Sequence, residues 1–235
     1  MVEHEQERLD RIAGDNNYDQ GVNRKIIEYT ADIFKRYMKD GSVLEMGPAH
    51  GLATDILYPL FPDYSVVDAS ELFINLIHER HPNVETYVSL FEDFQPKKKF
   101  DNILIGHVLE HVEDPISILA RCKEWKTDDG IILAAVPSSG SLHRLAGVKL
   151  GLIKDVSELN ESDLKVGHRR VYHRDSFIED FQKAGLHVIK SGGYWLKVIP
   201  NSQIEKTWSE EQIQVCMELG EEFPDIASNI YVIAE

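Results

Sequence analysis

Short apolar runs alternate with helix-like segments along almost the whole chain, and nothing else in the sequence limits the fold as much. "SVLEM", "YSVVDAS", "VETYVSL", residues 101–105 of "FDNILIGHVLEHV", and "GIILAAVP" read as successive buried strands. Between them "LATDILYPL", "ELFINLIHER" and "ISILARCKEWK" read as helices. A parallel strand pair needs a long crossover, usually a helix, so this alternation predicts an α/β fold with helices on both faces of a mainly parallel sheet.

The two ends differ from this pattern. In "RKIIEYTADIFKRYM" the residues Ile26, Ile27, Thr30, Ile33, Phe34 and Tyr37 recur at helical spacing, with Asn23 placed to cap the helix. Residues 1–40 are therefore expected to form an N-terminal helical cap on a domain spanning 41–235. After Pro137 the order loosens, and about 138–174 reads as an insertion; long irregular stretches in compact domains are usually functional lids. Helix "DSFIEDFQKAGL", strand "HVIKSGGYWLKVIP", helix "SEEQIQVCMELGEEF" and strand "SNIYVIAE" follow.

Charge and composition exclude some partners. Forty acids against 25 Lys plus Arg give a formal charge of −15, which repels a phosphate backbone and argues against nucleic acid. No apolar run approaches the roughly 20 residues that span a bilayer, and "MVEHEQERLDRIAG" lacks the apolar core of a signal peptide. No membrane association and cytoplasmic residence are the expectations. Cys122 and Cys216 have no metal-ligand spacing, so two buried thiols and no metal site are expected.

Chemistry is concentrated first in "GSVLEMGPAHGLATDIL". Gly47 and Gly51 permit close backbone approach to a ligand, and the following helix start offers unpaired N–H groups. A dinucleotide fits poorly: the third and sixth loop positions are Ala49 and Leu52, and Glu45 would repel a pyrophosphate. A cationic ligand bearing a ribose fits better, with Glu45 favouring the positive charge and Asp68, about 23 residues on, accepting two vicinal hydroxyls.

Taken together, "VLEMGPAHG", "VVDAS", "FDNILIGHVLEHVEDP" and "GIILAAVP" resemble the successive motifs of class I S-adenosylmethionine-dependent methyltransferases, and "GHRRVYHRDSFIEDFQKAGL" resembles a segment of their small-molecule branch. The resemblance covers roughly residues 41–235. It implies a three-layer Rossmann-like fold, with a seven-stranded mainly parallel sheet, a C-terminal antiparallel strand and an inserted lid. It also implies S-adenosyl-L-methionine as cofactor and S-adenosyl-L-homocysteine as product. Carried over, Glu45, Gly47, Ala49 and Gly51 surround the methionine moiety, Asp68 holds the ribose, and Ala69 and Ser70 lie beside the adenine. Gly106 and His107 lie under the sulfonium. Two positions depart from the pattern: Ala49 replaces a glycine, and Leu90 stands where an adenine-contacting acid is usual, leaving Phe91 or Glu92 to serve the adenine. Tyr18 is placed to close over the cofactor or simply to pack.

The acceptor side is less determined. "GHRRVYHR" crowds His168, Arg169, Arg170, His173 and Arg174 around Tyr172 in an otherwise acidic chain. The plain alternative is surface ion pairing and packing; the functional reading gives the arginines an anionic acceptor group and His or Tyr a proton. His143 and Arg144, after the fifth strand, face the same side. His107, His143, His168, Tyr172 and His173 are thus the candidate proton-handling groups, and Arg144, Arg169, Arg170 and Arg174 the candidate acceptor contacts. Glu110 and His111 read as structural residues in the first turn of a helix. The histidines tilt the expectation toward O-methylation of a small molecule such as a sugar, phosphorylated metabolite or natural-product intermediate. N-methylation of a small amine, a nicotinamide-dependent oxidoreductase and a non-catalytic domain are the alternatives. A homodimer is allowed for, and a protein acceptor remains an alternative to a small molecule.

Overall fold

The computed structural model describes residues 20–235; Tyr18 lies outside them. Helix α1 (Gly21–Tyr37) buries Tyr29, Ile33 and Phe34. Its cap is Gln20 rather than Asn23: Asn23 is already helical, and its Oδ1 accepts from Asn201 Nδ2 at 3.2 Å. The alternating core follows as β1 (Val43–Met46), α2 (Leu52–Leu57), β2 (Tyr64–Asp68), α3 (Glu71–Arg80), β3 (Glu85–Val88), β4 (Phe100–Gly106), α4 (Pro115–Trp125) and β5 (Lys126–Pro137). Beyond it come α5 (Leu142–Lys149), α6 (Glu161–Lys165), α7 (Arg174–Lys183), β6 (Val188–Tyr194), α8 (Asn201–Ile204), α9 (Glu210–Glu222) and β7 (Asn229–Ala234).

The seven strands form one sheet in the order β3-β2-β1-β4-β5-β7-β6. Every neighbouring pair is parallel except those of β7, which runs antiparallel to both β5 and β6. Strand residues alternate between two cores. Leu44, Met46, Ile103, Ile105, Ile132 and Ala134 pack with Leu119 of α4 and Phe177 of α7. Val43, Leu104, Ile131 and Leu133 pack with Ile33 of α1, Ile77 of α3 and Met217 of α9. Two buried faces under helices make the three layers that the resemblance implied. The chain runs outward from β1 to β3 and then returns to β4 on the other flank of β1. This reversal opens a crevice at the carboxyl ends of β1 and β4, where open α/β sheets bind ligands.

Three local departures shape the site. Helix α4 begins later than expected: Asp114 caps it by accepting from Ser117 N at 3.0 Å, with Pro115 in the first turn. Glu110 and His111 therefore occupy a turn between β4 and α4, not a helix. The expected strand through residue 200 stops at Tyr194, because Trp195 adopts φ 65°. Trp195 N and Leu196 N donate to Met217 O and Cys216 O of α9, so the chain leaves the sheet and carries Lys197 elsewhere. Residues 138–174 start and end side by side, since Ser139 N donates to Tyr172 O at 2.7 Å. Cys122 is buried as expected, Cys216 only partly. No helix among the described residues is long and apolar enough to cross a membrane.

Candidate active site

A cavity of about 720 Å³ fills the crevice between the strand ends, α1 and residues 138–171. The glycine loop forms one wall. Gly47 has φ 65°, and a Cβ there would lie 2.6 Å from Val108 Cγ2, so only glycine fits. Ala49 adopts φ 48°, a conformation that costs a non-glycine residue on the order of 1 kcal/mol; the missing glycine is tolerated with some strain. Gly51 caps α2 and lies outside the cavity lining, so its part is to turn the chain, with its N–H on Pro48 O at 2.8 Å.

Glu45 and Asp68 both reach this wall from neighbouring strand tips. Glu45 is 5% exposed, and its Oε2 accepts from Thr54 Oγ1 at 2.6 Å and Tyr64 OH at 2.8 Å. Burial pushes its carboxyl up to about 7, beyond what those donors offset. Asp68 Oδ1 accepts from Ser70 N at 2.8 Å. Burial raises Asp68 to about 6 against the N–H groups of Ser70, Ala49 and Ala69. Ser70, not Asp68, caps α3, which leaves Asp68 to the cavity. Ala69, Ser70, Leu90, Phe91 and Glu92 line the adjoining wall.

These values imply a pH dependence. A cation and hydroxyl donors bind the ionised carboxylates, and a carboxyl with a raised pKa loses its charge as pH falls through that pKa. Affinity for S-adenosylmethionine should therefore be level above about pH 8 and fall as pH drops through about 7 and then about 6, approaching tenfold per pH unit for each group below its pKa. Calorimetry across that range checks it; a flat profile contradicts the two-carboxylate site.

The same cavity holds several imidazoles. Gly106 ends β4 and His107 follows with φ 57°, both lining the cavity. His107 Nε2 lies 3.1 Å from Tyr194 OH, and its Nδ1 lies 3.6 Å from Glu110 Oε1. Glu110 is 1% exposed, and neither carboxylate oxygen has a hydrogen-bond partner among the described residues. Burial pushes its carboxyl up, but His107 beside it and the charges of His111 and His168 outweigh burial and hold it below the usual range. The rings of His111 and His168 meet edge to face, centroids 4.8 Å apart. His168 Nδ1 stands 3.3 Å from Asp163 Oδ1. Burial pushes Asp163 up as well, yet His168, the Asn160 N–H and Arg144 bring it down to about 2.

The remaining candidates are deployed differently from expectation. Of the "GHRRVYHR" side chains named above, only His168 lines the cavity. Arg169 Nε donates to His111 O at 2.9 Å. Arg170 clamps the same turn, donating to Leu109 O at 2.9 Å, Val112 O at 2.5 Å and Glu113 O at 2.8 Å. Tyr172 is buried in the core with its hydroxyl on Asp180 Oδ2 at 3.0 Å. His173 caps α7, and Arg174 pairs with Asp225 at 2.7 Å. The physical reason is that Tyr172 pairs with Ser138 and α7 starts two residues later, which turns this stretch away from the cavity.

His143 and Arg144 do line the cavity, but Arg144 spends its guanidinium on Asp163 Oδ2 at 3.0 Å, Val156 O at 2.6 Å and Glu158 O. Arg144 is a brace for residues 138–171 and not an acceptor contact. Burial, then the charges of Lys197 and Arg144, lower His143 to about 3. It stays neutral at physiological pH and is a poor proton acceptor. Two groups absent from the sequence-based set also line the cavity: Lys197, which burial lowers to about 8 and whose Nζ donates to Asn201 Oδ1 at 2.6 Å, and Asp163. Lys197 carried no signal, being hidden in an apparent strand.

Comparison with known proteins agrees with this fold. Residues 18–191 match a family described as methyltransferase domain. A solved S-adenosylmethionine-dependent methyltransferase from Mesorhizobium loti superposes with TM-score 0.66 at 13% identity, covering 91% of this chain and 99% of the other. The N-methyltransferase NodS of Bradyrhizobium japonicum, in complex with S-adenosylhomocysteine, gives 0.62 at 14% identity over 97% and 96%. Coclaurine N-methyltransferase, bound to N-methylheliamine and S-adenosylhomocysteine, gives 0.62 at 16% identity over 94% and 75%. No curated protein is significantly similar in sequence. The family match spans well over half of the chain, so the protein belongs to the methyltransferase domain family and is a class I S-adenosylmethionine-dependent methyltransferase. S-Adenosylmethionine is its cofactor. The oxidoreductase alternative falls with this assignment.

Proposed function

We propose that the protein methylates a hydroxyl group on a small-molecule acceptor, of the sugar, phosphorylated-metabolite or natural-product class. The observation that carries this reading is the grouping of Glu110, His111 and His168 in the same cavity that Glu45 and Asp68 line. S-Adenosylmethionine supplies an electrophilic methyl group on a sulfonium. In this reading Glu45 favours its positive charge, Asp68 accepts its ribose hydroxyls, and Gly47 lets the loop backbone approach. Ala69, Ser70, Leu90 and Phe91 offer small and apolar surfaces to the adenine. Gly106 and His107 line the same cavity, with His107 fixed between Tyr194 and Glu110.

Transfer needs alignment and exclusion of water, and residues 138–171, braced by Arg144, serve as the lid. A hydroxyl is a weak nucleophile until its proton is withdrawn. The carboxylate and imidazoles of Glu110, His111 and His168 meet that need; a free amine requires no such cluster. Lys197 is the cation available to an anionic group on the acceptor. The cavity volume of about 720 Å³ and the −15 charge favour a small acceptor over nucleic acid.

N-methylation is the second reading, favoured by the fold neighbours named as N-methyltransferases and by the buried Glu110 carboxylate, which could hold an ammonium. Incubation with isotopically labelled S-adenosylmethionine and matched panels of alcohols and amines separates them. Fragmentation mass spectra should place the label on oxygen. Label found on nitrogen alone overturns the hydroxyl reading.

A further inference from the structure

We propose that Glu110, His111 and His168 form a binding site for a divalent transition-metal ion in the cavity, where the ion takes the acceptor hydroxyl as a further ligand. Binding of the ion stands on the geometry below; its task rests on the hydroxyl reading proposed above.

One ligand atom from each of the three residues lies within 4.8 Å of the other two. From there, small side-chain movements bring all three to the distance of about 2.0–2.2 Å that imidazole nitrogen and carboxylate oxygen keep from such an ion. The Glu110 carboxylate is 1% exposed and has no hydrogen-bond partner on either oxygen among the described residues. A buried carboxylate whose oxygens accept no hydrogen bond has both of them open to a cation. Asp163 Oδ1, 3.3 Å from His168 Nδ1, has the place of the outer carboxylate that orients a metal-binding imidazole, leaving Nε2 for the ion. Arg144 holds Asp163 in turn.

The backbone around the three ligands is tied together. Arg169 N donates to Glu110 O at 2.8 Å and Arg169 Nε to His111 O at 2.9 Å, linking the turn that bears two ligands to the segment that bears the third. Arg170 holds the carbonyls of Leu109, Val112 and Glu113 in that turn. These contacts give the abundant arginines of this stretch a task that the sequence had not suggested. Two imidazoles and one carboxylate, with room for a substrate, make the donor set of catalytic sites for zinc and neighbouring first-row ions.

The chemistry balances without a redox step. The acceptor oxygen binds the ion, its proton leaves to water, and the ion stabilises the alkoxide at neutral pH. The oxygen–carbon bond then forms as the sulfur–methyl bond breaks, and that bond's electron pair stays on sulfur. The ion keeps its charge throughout.

The test is titration of the purified full chain, stripped with chelator, with Co²⁺, read by visible absorption and by calorimetry and followed by competition with Zn²⁺. One saturable equivalent should bind, and Glu110→Gln and His168→Asn should each weaken it about 10- to 100-fold. Calorimetry with S-adenosylhomocysteine checks that both variants fold. Absence of saturable Co²⁺ and Zn²⁺ binding in the wild type, or binding that both variants retain unchanged, overturns the inference. If no ion binds but both variants still lose turnover with an alcohol acceptor, the metal site is wrong and the hydroxyl reading survives. If the ion binds as expected but only amines are methylated, the site stands and the hydroxyl reading fails.

Discussion

Replacing Glu110 with Gln should lower kcat by roughly 10²- to 10⁴-fold, the range associated with loss of acid–base assistance, with little change in affinity for S-adenosylhomocysteine. Gln has nearly the volume of Glu, so the effect isolates charge. In the wild type the carboxylate is almost fully buried, 3.6 Å from His107 Nδ1, and it is held ionised by the surrounding imidazoles against the penalty of burial. Removing that charge deprives His107, His111 and His168 of the anion they share. Whether the cluster withdraws the hydroxyl proton directly or through an ion, its acid–base balance is lost. Steady-state kinetics with a saturating acceptor, paired with calorimetry, checks the prediction. A kcat within about threefold of wild type would remove Glu110 from the reaction.

The second large effect is at Asp68. Asp68→Ala should weaken S-adenosylhomocysteine binding by about 1–3 kcal/mol, or roughly 5- to 150-fold in Kd. The carboxylate is preset: Ser70 N holds Oδ1 at 2.8 Å, and the N–H groups of Ala49 and Ala69 also point to it. Hydroxyls that replace water there add hydrogen bonds to a charged acceptor already desolvated by folding. The variant should retain Ser70 as the cap of α3, so the fold should survive. Unchanged affinity would withdraw the ribose assignment.

The fold was legible in the sequence because strand-length apolar runs and helical segments alternate, and that pattern depends on nearest neighbours along the chain. That Glu45 and Asp68 would meet in one cavity was legible for a related reason. Glu45 and Asp68 each end a strand, and parallel neighbours bring strand tips together whatever the loops do. Ala49 was noted as a departure, and its φ of 48° shows the strain that departure carries. The rest of the cavity was not legible because tertiary contacts decide it. Five cationic or imidazole side chains in seven residues suggested a binding patch, yet the carbonyls of Leu109, Val112 and Glu113 take up Arg170, and Arg144 is likewise taken up by Asp163 and two carbonyls. Glu110 and His111 looked like helix residues, but Asp114 caps the helix and Pro115 begins it, beyond both of them. His168, which completes their cluster, is 57 positions from His111, beyond the reach of any local pattern. Lys197 reaches the cavity only because Trp195 breaks the strand.

The central claim is that two carboxylates on neighbouring strand tips hold a positively charged, ribose-bearing methyl donor at the switch point of the sheet. Calorimetric titration of the wild-type chain with S-adenosylmethionine, without an acceptor, tests it most directly, with Asp68→Ala and Glu110→Gln run alongside. The account predicts saturable one-to-one binding below millimolar concentration that Asp68→Ala weakens and Glu110→Gln preserves. No binding by the wild type at millimolar ligand, or equal binding by the wild type and Asp68→Ala, would contradict it.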